Sequence, residues 1–180
     1  MKEYLIKTEH IGLRNWLPSD LDPYTHMCQD PEVMKYFPAG LTRKEAEHFI
    51  HRMQTHFTKY GFCYFAADLL KSDEFIGFVG ILHQNYKSDY TPCVDIGWRL
   101  KRSVWGKGYA TEAAEACLKF AFSKMNVKEI YSFATIDNTG SENIMKKIGM
   151  EFISTFDHPY LKDHPEMKEC VVYNIQNKNL

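Results

Sequence analysis

Lys101, Arg102, Gly106, Lys107 and Gly108 crowd into one short stretch of the chain, and glycines set among basic side chains are a chemical signal. A glycine-rich turn that opens a helix leaves backbone N–H groups unpaired and aimed outward, at the positive end of the helix dipole. Without a Cβ in the way, an anion can approach that backbone closely. The pattern reads as an anion site, phosphate foremost; the alternative is an ordinary strand–helix loop that happens to be rich in glycine. The flanks fit either reading. Val94, Ile96, Trp98 and Leu100 alternate with Asp95, Gly97 and Arg99, which is strand spacing. Ala110, Ala113, Ala114, Cys117, Leu118, Ala121 and Phe122 recur at helical spacing, opposite Glu112, Glu115, Lys119 and Lys124.

Other clusters carry less. His48, His51 and His56 ride on one helix, and His48 with His51 has metal-ligand spacing, but no third ligand converges in sequence; a solvated helix face is the expectation, with no metal. Five cysteines, Cys28, Cys63, Cys93, Cys117 and Cys170, are spread without a C-x-x-C pair, so neither a zinc knuckle nor a dithiol redox site is indicated. Cys117 falls on the apolar helix face as a buried, inert thiol. With 22 basic and 23 acidic residues the formal charge is −1, which argues against nucleic acid as a partner. An acidic ligand must then be held by a local cluster such as Lys101, Arg102 and Lys107. No apolar run approaches 18 residues, and the Met1-Lys2-Glu3-Tyr4 start lacks a signal-type apolar region. A cytoplasmic protein away from membranes is expected, as monomer or homodimer.

These residues need a scaffold. The spacing predicts a strand over 8–16, a short helix over 19–28 and a second helix start at Asp30-Pro31, where Asp is a cap and Pro suits the first helical position. Tyr36-Phe37-Pro38-Ala39-Gly40 reads as an aromatic loop. Thr42 with Glu45 makes a capping box for a helix over 43–59. Strands follow at 62–69, 75–82 and 93–100, then a helix over 110–124, a strand at 130–136, a helix over 141–148, and strands at 152–156 and 169–175. Hairpins mixed with crossover helices predict one α/β (α+β) domain over 1–180 with a mixed, mostly antiparallel sheet flanked by helices. This order excludes a dinucleotide-binding fold, whose glycine turn follows its first strand directly. Lys107 is followed by Gly108, so the Walker pattern is absent too.

The run from Asp95 to Leu100, then Trp105-Gly106-Lys107-Gly108-Tyr109-Ala110-Thr111-Glu112, resembles the acyl-CoA motif of the GNAT superfamily of N-acetyltransferases. A second block, Asn138 to Ser141 followed by Ile148-Gly149-Met150, resembles the ribosomal-protein (RimJ/RimL-like) branch, as do the segments 30–38, 75–80 and 156–161. The resemblance covers nearly the whole chain. It implies acetyl-CoA as co-substrate and a sheet whose neighbouring strands splay to admit it. It further implies that Leu100 stands at the splay, that Trp105, Gly106, Lys107, Gly108, Tyr109 and Ala110 offer N–H groups to the diphosphate, and that the Asn138 amide reaches the cofactor arm unless it only closes a turn. Two positions depart from the pattern. Ser103 stands where the superfamily has Arg or Gln, and Met145 stands where many relatives have a tyrosine acid; a methionine donates no proton.

Acyl transfer to an amine asks for a base. An amine of pKa about 10 is only about 0.1% neutral at pH 7. Asp95, at the acidic position of the family strand, is the first candidate, acting through water; its alternative is an ion pair with Arg99. Ser141 is the candidate proton donor by resemblance, and also the expected N-cap of helix 141–148. His158 would titrate in a suitable range, or would anchor the turn before Pro159. Tyr36, Phe37 and Trp98 would line an apolar acceptor slot, or be plain core aromatics. The expected activity is transfer of acetyl to a primary amine, of a protein N-terminus or a small molecule, by direct attack in a ternary complex. The missing acid at 145 leaves open a module that holds acyl-CoA without turnover.

Overall fold

The computed structural model describes residues 2–125 and 127–177. Among them are eight strands and four α-helices. The strands are β1 (Ile6–Lys7), β2 (Ile11–Arg14), β3 (Tyr64–Leu69), β4 (Glu74–Gln84), β5 (Cys93–Leu100), β6 (Glu129–Thr135), β7 (Glu151–Asp157) and β8 (Glu169–Gln176). The helices are α1 (Leu21–Met27), α2 (Arg43–Tyr60), α3 (Tyr109–Lys124) and α4 (Thr139–Lys147). They build one open sheet in the order β1-β2-β3-β4-β5-β6-β8-β7. Every neighbouring pair is antiparallel except β5 and β6, which run parallel.

Most expected elements are present, with ends shifted by one or two residues. Three differ in kind. The expected strand over 8–16 is a hairpin: Thr8 N–H donates to the Ile11 carbonyl at 2.9 Å, the chain reverses, and only Ile11–Arg14 joins β3. The helix expected from 19 opens as a 3-10 turn at Pro18–Asp20 before α1. The Asp30-Pro31 start makes no helix. Met34 N–H bonds the Asp30 carbonyl at 3.0 Å and Phe37 N–H that of Met34 at 2.9 Å, a run of turns that never propagates.

β4 is buried from Phe75 to Leu82 because helices cover both faces of the sheet. One face carries α1 and α2, with Phe49 and Tyr24 against Phe78 at ring distances of 5.3 and 6.4 Å. The other carries α3, whose small buried residues Ala113, Ala114, Cys117 and Ala121 let the helix lie close on β4 and β5. The Thr42–Glu45 box forms as read: Glu45 accepts the Thr42 N–H at 2.8 Å, and Thr42 accepts that of Glu45 at 3.3 Å.

Candidate active site

β5 and β6 meet at a single register pair, Asp95 opposite Tyr131. The Ser132 hydroxyl donates to the Ile96 carbonyl at 3.0 Å just beyond it, and no further register pair follows among the described residues. The two strands therefore part toward their carboxyl ends. Because they are parallel, the helices that follow them, α3 and α4, begin at that same end, one on each side of the gap. Open sheets place ligand crevices there.

The α3 side is prepared for an anion. Gly106 and Gly108 have φ of 73° and 82°, a region costly for residues with a Cβ. A Cβ built on either would meet no atom within 4 Å, so the space before this backbone is open. Gly108 caps α3 without any side-chain hydrogen bond, which leaves the first N–H groups of the helix to a ligand. Trp105 is 48% exposed, and its indole N–H donates to the Leu100 carbonyl at 2.8 Å; that carbonyl is thus engaged, and the Leu100 side chain is buried. Lys107 and Arg102 are exposed without an ion pair among the described residues. Lys101 is not a free member of the cluster, because it pairs with Glu74 at 3.1 Å.

On the α4 side, Asn138 rather than Ser141 is the cap. Its Oδ1 accepts the Ser141 N–H at 3.1 Å. The expectation of a Ser141 cap fails because the helix starts two residues earlier, at Thr139. The Ser141 hydroxyl makes no hydrogen bond among the described residues and is half-buried. Met145 is buried in the core.

Asp95 sits where the strands part, 6% exposed. The expected Asp95–Arg99 pair does not form, since four residues along a strand span about 13 Å. Instead the Tyr64 hydroxyl lies 2.7 Å from both carboxylate oxygens, and Gln84 donates to Oδ2 at 2.9 Å. Burial pushes the Asp95 carboxyl up to about 7, against the lowering influence of these two hydrogen bonds. A carboxyl there changes charge near neutrality. Sequence reasoning missed Tyr64 and Gln84. Tyr64 is opposite Gly80, which is opposite Gly97, and a Cβ on Gly97 would lie 3.2 Å from the tyrosine ring. Glycines at 80 and 97 were the available signal that something lies across this face.

The same face extends over β6. Tyr131 and Phe133 stack there at 6.2 Å, with Tyr86, His158 and Tyr160 gathered above. His158 anchors the turn before Pro159 as expected: its Nδ1 accepts the Tyr160 N–H at 3.3 Å, and burial lowers its pKa. Phe37 holds the Arg99 guanidinium 3.8 Å from its ring centre, and Tyr36 lies next to Phe37 in the same loop. Trp98 does not join them. It alternates with Arg99 and so faces α3, not the side of the sheet that carries Asp95 and Tyr64.

His48 and His51 are exposed on α2 as expected, but His56 is not part of a solvated face. Its Nδ1 lies 2.7 Å from the Phe62 carbonyl, and its ring packs against His83 and Tyr60. No group of three metal-ligating side chains converges among the described residues, and all five cysteines are free. No helix among the described residues is long and apolar enough to cross a membrane.

Residues 10–151 match the acetyltransferase (GNAT) domain family. The chain belongs to that family. It is 32% identical over 146 residues to the uncharacterized N-acetyltransferase YnaD of Bacillus subtilis (strain 168), covering 81% of each protein. It superposes on the crystal structure of a GNAT-family acetyltransferase from Bacillus anthracis with a TM-score of 0.79 at 26% identity, over 96% of this chain and 98% of that one. At 15% identity the spermidine N-acetyltransferase from Vibrio cholerae, solved with CoA and spermine, shares the fold with a TM-score of 0.72 over 94% and 97%. The GNAT member described here is thus an N-acetyltransferase, and acetyl-CoA is the family's acyl donor. The open backbone at Gly106 and Gly108 suits the diphosphate of such a donor.

Proposed function

We propose that this GNAT enzyme transfers acetyl from acetyl-CoA to a primary amine by direct attack in a ternary complex. The acceptor enters from the face of β5 that carries Asp95. The observation that carries the reading is the parting of β5 from β6 between two helix N-termini, with Asp95 at its base. Acetyl-CoA supplies the activated acyl group; binding, orientation and proton movement fall to the chain. Backbone N–H groups of Gly106, Lys107, Gly108, Tyr109 and Ala110 take the diphosphate, aided by the exposed Lys107 and Arg102; the Trp105 N–H, expected among them, is instead bonded to the Arg102 carbonyl at 3.1 Å. Each charge-assisted bond of this kind contributes roughly 1.5–3 kcal/mol, which offsets the arginine or glutamine missing at Ser103. Leu100 and Asn138 flank the cofactor arm, Asn138 through its amide nitrogen while its Oδ1 caps α4.

Asp95, held by Tyr64 and Gln84, accepts the proton of the incoming ammonium through water. Ser141, with an uncommitted hydroxyl at the start of α4, delivers a proton to the departing thiolate, which has a pKa of about 8.5 and asks little. Tyr36 and Phe37 border the acceptor side. The segments at 30–38, 138–150 and 156–161 support membership of the RimJ/RimL-like branch. Five free cysteines suit a reducing compartment such as the cytoplasm.

The test is thermal stabilisation by CoA. Gly106→Glu, which places a carboxylate in the open space, is expected to abolish the shift. Gly106→Asn, which tolerates left-handed backbone and adds no charge, calibrates the strain. A Gly106→Glu protein that keeps the full CoA shift would sink the placement.

A further inference from the structure

Four buried side-chain polar atoms have no hydrogen-bond partner among the described residues: Tyr24 Oη, Tyr86 Oη, Arg99 Nε and Thr135 Oγ1. All four border the acceptor face. Arg99 follows Asp95 and Gly97 on one side of β5, Thr135 follows Tyr131 and Phe133 on β6, and Tyr24 packs over Phe78, the register partner of Arg99. Buried polar groups are nearly always paired, so a cluster of exceptions marks a place where a partner is supplied from outside.

Arg99 is the strongest of them. Its guanidinium carbon lies 3.8 Å from the ring centre of Phe37 and 5.6 Å from that of Phe78. No carboxylate lies within 4 Å of it among the described residues, and its one hydrogen bond is a weak one to the Cys28 sulfur at 3.6 Å. Arg52, exposed on α2, adds a second positive charge that acts on Tyr24, Tyr64 and Asp95 and has no ion pair of its own among the described residues. The corner is therefore positive in a chain whose net charge is −1. A guanidinium is planar, and its N–H donors form a fork that matches a carboxylate two-pronged; here the adjoining rings supply contact without taking up those donors.

We infer that the amine acceptor of this enzyme also carries a carboxylate, and that Arg99 binds it. The inference rests on the acetyl-transfer reading of the site. Arg99 stands two residues beyond Gly97, about 7 Å along the strand, so an amine brought to the parted strands can reach it with a carboxylate a few bonds away. Amino acids and short peptides fit this description; a polyamine, with charge of the wrong sign, does not.

The test uses the full chain with acetyl-CoA and follows free thiol. A set of α-amino acids and short peptides is assayed, each against its own C-terminal amide, together with spermidine. The wild type is expected to favour the carboxylate member of each pair at least tenfold in kcat/KM, with the difference in KM. Arg99→Gln brings that ratio to near one, and Arg99→Lys restores part of it. The CoA-induced thermal shift is read on each variant to confirm folding. A wild-type ratio near one, a preference for spermidine, or a ratio unchanged in Arg99→Gln overturns the inference. Should the amides be acetylated as well as the acids, only the carboxylate assignment falls; should CoA fail to stabilise the protein and no amine be acetylated, the reading of the site falls with it.

Discussion

Two arginines on the same sheet are treated in opposite ways. Arg14 on β2 is 2% exposed, and its Nε, Nη1 and Nη2 groups donate to Asp20 and Asp68 over 2.7–2.9 Å, with one further bond to the Asn15 carbonyl. Lys2 and Tyr4 close the network on Asp68. Arg99 on β5 has aromatic rings, a thiol and an orphaned Nε. The carboxyl that shares its strand, Asp95, is held by neutral donors instead. A buried charge with every partner built in serves as scaffold, because removing one partner strands the other. Charges kept apart from their natural partners cost stability, and a fold keeps that cost where something else will complete the set.

The sharpest way to break the comparison is on the scaffold side. Asp68→Ala leaves Arg14 buried with its bonds to Asp20 and Asn15 only, and leaves Lys2 and Tyr4 with Asp73 as their remaining acceptor. We expect a loss of about 3–5 kcal/mol in denaturant unfolding, with the CoA affinity of the remaining folded protein unchanged. A loss below about 1 kcal/mol would mean that the network is no scaffold.

Asp95→Asn is the counterpart, and its two effects have opposite signs. Removing the base is expected to lower kcat about 10²–10³-fold. Stability moves the other way. The folded pKa, about 7, lies above the ordinary 3.8, so this carboxyl favours the folded state at low pH. That contribution is lost as pH rises from about 4 to 7, where the unfolded chain has released the proton and the folded chain still holds it. Asparagine stays neutral, so at pH 8 the variant should melt higher than the wild type, by about 2–4 °C for each kcal/mol of relief. Lower activity with a lower melting point at pH 8 would return Asp95 to the scaffold.

How much of this was legible in the sequence differs between the two regions. The glycine turn, the flanking strand and helix, and Asp95 itself were readable because each is a local pattern: periodicity, a φ that only glycine tolerates, a cap. Asp95's partners were not. Tyr64 reaches it through the β3–β4–β5 register, set by pairing across 31 residues of sequence, and no spacing rule reports a register. Arg99 looked like Asp95's partner because they are near in sequence, although strand geometry separates them. The hairpin at residues 6–14 was hidden for the same reason, since Ile11–Arg14 and the residues before it both look extended until the reversal at Thr8 is seen. The cap was placed on Ser141 because the helix was expected to start at 141; Asn138, read as a cofactor contact or a turn residue, holds that place instead.

Tyr64→Phe tests the positioning side of the site with a smaller effect. The Tyr64 hydroxyl lowers the Asp95 pKa against the larger influence of burial. Without it the carboxyl stays protonated to higher pH. For the wild type, kcat/KM should rise with pH through about 7, as the base form appears. In Tyr64→Phe this limb should move upward by about 0.5–1 pH unit, with the plateau at high pH largely kept. A uniform drop at all pH values, with no shift, would mean that Tyr64 only packs on Phe78 and Gly97.

Ser141→Ala should have the smallest effect, and its pH dependence separates a proton donor from a helix residue. Its N–H remains bonded to Asn138 in the variant, so stability should stay within about 0.5 kcal/mol, and the CoA thermal shift should not change. Turnover should fall only several-fold, because a thiolate of pKa about 8.5 leaves with little help. That loss should be largest near pH 6 and should fade toward pH 9, where the thiolate departs unprotonated. A loss equal at both ends of the range would point to misplaced substrate, and no loss at all would leave the hydroxyl without a part in the chemistry.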